Sequence, residues 1–344
     1  MAAINAENNE DKVLSPFLPG TNIQFAWDST TLGMLKTCPR LYQYSIIEGW
    51  QPKGESIHLR FGIEYHKALE EYDDFRHAGA KHDDALRSTV HSLLRRIADW
   101  DPDVTSRAGQ YKNPKTLLSL VIDYCDKFRD DAATTVIRED GRPATELSFR
   151  FELDWGPQAA QEDEAVCRAR EQGNFGKVTH IDQPYVLSGH LDRVVNYADG
   201  ILVMDRKTTT TTPGSYYMDQ WSPNNQMSLY TIAGQIVLQA VVKGVIIDAA
   251  QVLLDKPNNF VRGFTYRTAA QSEEWLTDLK FWLHSAENYA TLNYWPMNDS
   301  SCDKFGGCRF RGVCSRDPSV RERFLEADFI KLDEADKWNP LKPR

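Results

Sequence analysis

The stretch GHLDRVVNYADGILVMDRKT, residues 189–208, reads as two short apolar strands around a turn, yet it carries Asp192, Asp205 and Lys207 among its greasy residues. Side chains two apart in a strand share a face, so Asp205 and Lys207 project together, in line with Ile201 and Val203, while Arg206 points away. A turn centred on Asp199 and Gly200 sets Asp192 roughly opposite residues 205–207. Two carboxylates and an ammonium then converge at one end of a sheet. Carboxylates that close repel unless a cation lies between them, and oxygen-rich sites suit Mg²⁺ or Mn²⁺. A lysine beside such an ion can orient an attacking water and help to deprotonate it. A solvated strand end with an ordinary surface ion pair would use the same residues, so the rest of the chain has to decide.

Working outward, ELSFRFEL (146–153) alternates strictly, with Leu147, Phe149, Phe151 and Leu153 on one face of a strand. The polar residues 156–184, including Cys167, read as a long insertion before the hairpin. Upstream, Ser29 and Thr30 are good caps for a short helix through TLGMLKTCPRLYQYSI that runs into Pro39, placing Cys38 near a helix end. From Phe61, apolar residues at 61, 65, 68, 72 and 75 recur at helical spacing, with Gly62, His66 and Leu69 on the neighbouring stripe. Two further amphipathic helices pass through Leu86, Val90, Leu93 and Ile97, and through Leu117, Val121, Tyr124 and Phe128. Downstream, Asn224 can cap a helix from about Gln226 to Val242. Strands at VIIDAAQVLL and FTYRT follow, then a long helix from Ser272 towards Tyr294. This divides the chain into a flexible tail (1–20), a helical region (21–140), a core (141–295) and a C-terminal segment (296–344).

The chain has 344 residues, 41% hydrophobic and 26% charged, the profile of a soluble globular protein. A formal charge of -9 argues against coating nucleic acid by bulk electrostatics. The segment from Cys302 to Phe324 is locally basic, however, with Lys304, Arg309, Arg311, Arg316, Arg321 and Arg323, and could face phosphate. The start lacks the basic-then-apolar order of a secretory signal, and the apolar run around residues 230–247 is broken by Gln235, Gln239 and Lys243. A membrane location is therefore not expected. Six cysteines are few for this length and suit free thiols in a reducing cytoplasm. No internal repeat and no phosphate-binding G-x-x-x-x-G-K-[ST] loop is present.

The order G-x-x-D, strand, turn, strand, D-x-K, here GHLD and DRK, resembles the PD-(D/E)XK nuclease superfamily. Its RecB-like branch adds a helical histidine upstream, matched by Gly62 and His66 in GIEYH, and a Q-x-x-x-Y motif downstream, matched by Gln226 and Tyr230 in QMSLY. Gln226 and Tyr230, four apart, would share one helix face. The resemblance implies that His66, Asp192, Asp205 and the main-chain carbonyl of Arg206 hold Mg²⁺ or Mn²⁺ while Lys207 serves the water. It further implies that Gln226 and Tyr230 contact DNA near the scissile phosphate, the tyrosine by stacking. Glu146 stays unassigned at the edge of the site. The fold implied is an α/β restriction-endonuclease-like core, a central mixed sheet flanked by helices, with an N-terminal helical elaboration and a C-terminal iron-sulfur segment. The activity implied is a deoxyribonuclease, an exonuclease on single-stranded DNA or DNA ends in repair or recombination. A non-catalytic DNA-binding or assembly protein that keeps the fold is the alternative. Homo-oligomers and repair or recombination partner proteins are both open.

CDKFGGCRFRGVC places Cys302, Cys308 and Cys314 at even spacing in a glycine-containing segment that favours a metal. Zinc sites usually show tight C-x₂₋₄-C pairs, absent here, and a fourth ligand is needed; Cys38 is the candidate. One N-terminal cysteine with a C-terminal trio is similar to the iron-sulfur nucleases of the RecB-like branch, including AddB-type and CRISPR adaptation nucleases, and implies a 4Fe-4S cluster. Zn²⁺ is the alternative. Cys125, on an apolar helix stripe, and Cys167, in the insertion, read as non-ligands. Such a cluster would staple Cys38 to residues far along the chain, a closure whose entropic cost grows only logarithmically with length.

Overall fold

The computed structural model describes residues 14–157, 183–198, 200–303 and 307–342. They form two units, one from residues 55–147 and 190–272, the other from residues up to 54, 148–189 and 273 onward. The strands are β1 (Ala26–Trp27), β2 (Trp50–Pro52), β3 (Thr134–Thr135), β4 (Thr145–Glu152), β5 (Val186–Tyr197), β6 (Gly200–Thr209), β7 (Val242–Gln251), β8 (Asn259–Tyr266) and β9 (Phe329–Lys331). Both β4 and β5 contribute residues to each unit.

The unit of residues 55–147 and 190–272 is built on a mixed sheet. The second half of β5 runs antiparallel to β6, from Arg193 opposite Met204 to Tyr197 opposite Gly200. Next to it β7 lies parallel to β6, with Asp205 opposite Ile247 and Lys207 opposite Ala249, and β8 closes the order antiparallel to β7. Tyr197 pairing with Gly200 puts the turn one residue earlier than the sequence suggests. Ala198 takes φ 48 there, the positive φ that two-residue hairpins demand. The shift leaves Asp192, next to Arg193, facing the Asp205 end of β6.

The helix Ile57–His77 starts where the Ser56 side chain accepts the Leu59 N–H, and buries Phe61, Tyr65, Ala68, Leu69 and Tyr72. These pack with Leu93 of the helix His82–Arg96 and Leu117, Val121 and Tyr124 of the helix Pro114–Lys127, against Ala250 and Phe260 of the sheet. Phe75, expected on the same stripe, is 37% exposed. Asn224 caps the helix Asn225–Leu238 through the N–H groups of Gln226 and Met227. That helix stops short of Val242, because Gln239 turns left-handed at φ 50 and Val242 is taken into β7.

Beneath β6 lies a buried ionic layer. Arg206, 1% exposed, pairs with Asp73 at 2.6 Å. Arg262 makes two bonds to Asp131, at 2.6 and 2.8 Å, and reaches Asp248 at 3.3 Å. Arg193 also approaches Asp131, at 3.3 Å, and Tyr124 donates its hydroxyl to Asp248. Arg206 thus anchors the strand from the face opposite Asp205 and Lys207.

In the other unit, Asp28 caps the helix Ser29–Thr37, its Oδ1 2.7 Å from the Thr31 N–H, so Ser29 and Thr30 are helical residues rather than caps. The single helix read through Pro39 is three pieces. Cys38 breaks it at φ −166, Pro39–Tyr42 restarts it at the position proline tolerates, and Gln43–Ile47 widens into a π-helix. β1 runs parallel to the start of β5, with Ala26 opposite Val186. The alternation in β4 is observed, Phe149 and Phe151 being buried and Leu153 likewise. Gly189 allows the ring of Phe149 against β5: a Cβ there would meet it at 2.7 Å. Leu153 and Tyr185 pair across the base of the insertion, within which Cys167 lies outside the described residues. The small sheet of β2 and β9 packs Trp50 and Phe329 with Tyr44, Phe310, Val313 and Leu325. The long C-terminal helix spans Ala269–Thr291. Among the described residues no helix is long and apolar enough to cross a membrane.

Candidate active site and cysteine centre

Asp205 and Lys207 share the face of β6 that two-residue periodicity demands. Lys207 Nζ lies 2.7 Å from Asp205 Oδ2 and 3.0 Å from Oδ1. The same Nζ donates to Gln226 Oε1 at 3.2 Å, and Gln226 Nε2 donates to the Tyr230 hydroxyl at 2.9 Å. The glutamine is therefore committed at both ends. Tyr230 is 7% exposed, a core ring with little face open to a base. Trp221 covers the ammonium of Lys207, 5.5 Å from its ring centre.

Across the hairpin, Asp192 Oδ2 accepts the main-chain N–H of Arg206 at 2.8 Å and approaches His66 Nδ1 at 3.3 Å. His66 is brought there by the buried face of the helix Ile57–His77. Burial disfavours its charge, but the neighbouring Asp192 carboxylate more than compensates and raises its pKa. Asp192 is also buried, yet His66, Lys207 and the Arg206 N–H hold its carboxyl well below the usual range. The sequence-derived quartet of His66, Asp192, Asp205 and Lys207 thus comes together.

The sequence missed one participant. Among the described residues, the one group of three metal-capable side chains with donor atoms within 4.8 Å of one another is His66, Glu146 and Asp192. Glu146 sits at φ 43, a left-handed conformation costly for a residue with a Cβ. That kink at the start of β4 places its carboxylate on the histidine and aspartate. Alternation in ELSFRFEL marks Glu146 only as off the core face and carries no signal of positive φ. Burial first, and the charge of Asp192 second, push the Glu146 carboxyl up. Burial likewise raises Asp205, against the pull of Lys207. Three carboxylates meeting one ammonium and one imidazole form a site short of positive charge, and a divalent cation would supply it. The donors, carboxylate oxygens and one imidazole nitrogen, fit Mg²⁺ or Mn²⁺.

The four cysteines named from sequence belong to the unit containing Cys38 and residues from 273 onward. Cys38, at the helix break, accepts the Asn298 N–H on its sulfur at 3.3 Å. Cys308 donates its N–H to the Cys302 carbonyl at 2.8 Å, and Arg321 bonds the Cys314 carbonyl at 3.0 Å. Burial raises the thiols of Cys302 and Cys314, and in both Cys308 and Cys38 add to the rise, so each of these two thiols lies within electrostatic reach of Cys308 and Cys38. None of the described cysteines is in a disulfide. Cys125 is buried in the helical core of the other unit.

A family model for the PD-(D/E)XK nuclease superfamily matches residues 29–315. Among solved structures, a protein from Eubacterium rectale named "Putative exonuclease" is similar with a TM-score of 0.45 and 11% identity, over 87% of this chain and 92% of that one. The protein SSO0001 is similar with a TM-score of 0.27 and 11% identity, over 76% of this chain and 98% of that one. No curated protein matches. With the family model spanning most of the sequence and running through both the charged hairpin and the cysteine trio, the chain belongs to the PD-(D/E)XK nuclease superfamily.

Proposed function

We propose that this protein is a Mg²⁺- or Mn²⁺-dependent deoxyribonuclease that hydrolyses phosphodiester bonds, acting as an exonuclease on single-stranded DNA or DNA ends in repair or recombination. The observation that carries this reading is the meeting of His66, Glu146 and Asp192 within 4.8 Å, beside an Asp205 and Lys207 pair on the adjoining strand. His66, Glu146, Asp192 and Asp205, with the Arg206 carbonyl, would hold the metal, which when bound supplies Lewis-acid polarisation of the phosphate and a lowered water pKa. Lys207 Nζ, steadied by Asp205 and Gln226, orients the attacking water and offsets charge on the phosphate. Gln226 and Tyr230 serve as positioning residues, holding the lysine in its rotamer. Digestion of DNA in Mn²⁺ tests the reading: the wild type cuts, and Asp205→Ala and Lys207→Ala lose at least 100-fold in rate, on the order expected for positioned catalytic groups. Variants that cut like the wild type would refute it.

The same reading includes a 4Fe-4S cluster on Cys38, Cys302, Cys308 and Cys314. Four free thiols of one unit, three of them at even spacing without the tight C-x₂₋₄-C pairs usual for zinc, support it. Anaerobically purified protein should be brown and absorb near 400 nm; colourless protein carrying one zinc would favour the alternative.

A further inference from the structure

A cavity of about 480 Å³ opens beside the cysteine centre, lined wholly by residues of that unit, and the catalytic site uses none of them. Its volume suits one small ligand. Three cations, Arg40, Arg321 and Lys331, and two carboxylates, Glu48 and Glu322, line it, and none of the cations lies within 4 Å of a carboxylate among the described residues. Arg40 is 9% exposed, its Nε spent on the Trp295 carbonyl at 2.8 Å. Its charge acts on the Glu48 carboxyl and the Cys314 thiol, and it hydrogen-bonds the Tyr44 side chain, so the fold holds a cation in place at the cavity wall. Glu48, in the same wall, is occupied by Gln43 and by the Trp50 indole, and burial raises its carboxyl.

The aromatic side of the cavity is as distinctive. Tyr294 is 63% exposed, with the Arg40 guanidinium 5.8 Å from its ring centre. Lys331 lies 5.4 Å from the Trp50 ring. The backbone around these residues is irregular on both sides: Gln43 and Tyr44 belong to the π-helix, and Asn293, next to Tyr294, is left-handed at φ 48. Such irregularities concentrate at functional sites.

We propose that this cavity binds one nucleotide unit of single-stranded DNA, its phosphate against Arg40, Arg321 and Lys331 and its base stacked on Tyr294. Exposed aromatic rings flanked by cations are how proteins hold single strands without reading sequence. In a duplex the base is already stacked on its neighbours and is not available to the ring. The proposal rests on the nuclease reading for its choice of ligand, and its test reads binding rather than cleavage.

The test is anisotropy of a fluorescein-labelled twelve-residue oligo-dT titrated with full-length protein, without added divalent metal. Tyr294→Ala should weaken binding about tenfold and Tyr294→Phe should restore it. Lys331→Ala should weaken binding and lower the salt dependence by about one released counterion. Both side chains reach the surface, so melting temperatures of these variants should match the wild type. Weakened binding in a protein that never cuts DNA would uphold the cavity and sink the nuclease reading. Unchanged binding in both variants of a protein that does cut would sink the cavity alone. Free thymidine monophosphate binding as tightly as the oligonucleotide would overturn the assignment to a strand.

Discussion

Glu146 shows what one residue's backbone can hide. Its identity is plain in the sequence, but nothing there marks the left-handed φ of 43 at which its carboxylate groups with His66 and Asp192. The pair Asp205 and Lys207 was legible because strand periodicity alone puts them on one face, and His66 because the apolar spacing of its helix fixes its stripe. Tyr230 was legible as a neighbour of Gln226, but its burial was not. A buried cation gives a residue-scale prediction. Lys112 is 6% exposed, donates to Thr208 Oγ1 at 3.2 Å and lies 5.2 Å from the Phe61 ring centre. Burial lowers its pKa from 10.5 to about 8. The unfolded chain thus binds more protons between about pH 8 and 10.5, and stability should rise with pH across that window. Lys112→Met should stabilise the protein at pH 7 by about 1–3 kcal/mol, with the gain shrinking as the pH approaches 10; thermal melts across this range check it.

At the scale of elements, the hairpin of β5 and β6 was readable because alternation and a short turn specify it; the one-residue error in the turn moved the pairing by two residues and so left every side chain on its expected face. Helix ends were less readable. Asp28 outcompetes Ser29 and Thr30 as a cap through its reciprocal bonds with Thr31, and a left-handed Gln239 ends a helix whose sequence stays apolar beyond it. The ionic layer under β6 was not legible, since Asp73, Asp131 and Arg206 come from segments with no shared pattern. Asp73→Ala would leave Arg206 charged and unpaired in a site 1% exposed. It should cost about 3–5 kcal/mol by chemical denaturation. A loss below 1 kcal/mol would mean that the layer does not hold the strand.

For the whole molecule, the mixed sheet flanked by helices was foreseeable from the resemblance to the nuclease superfamily, with helical and strand patterns marking its pieces. The interleaving of its two units was not, because β4 and β5 supply residues to both and no composition shift marks the crossings. The cysteine centre draws on distant segments of one unit, with Cys38 bonded through its sulfur to Asn298. The proposed cluster would close a long loop, so its removal by oxidation, or Cys38→Ala, should lower the melting temperature by several degrees, as a loss of about 2–4 kcal/mol would in a domain of this size. Calorimetry of cluster-loaded and cluster-free protein reads this directly.

In the proposed site His66, Glu146, Asp192 and Asp205 enclose one divalent ion that Lys207 does not bind. Isothermal titration with Mn²⁺ is its most direct test. The wild type and Lys207→Ala should each take up one ion per chain at similar affinity, while Asp192→Asn and Glu146→Gln should bind at least tenfold more weakly. Asp192→Asn or Glu146→Gln taking up Mn²⁺ as tightly as the wild type would contradict it.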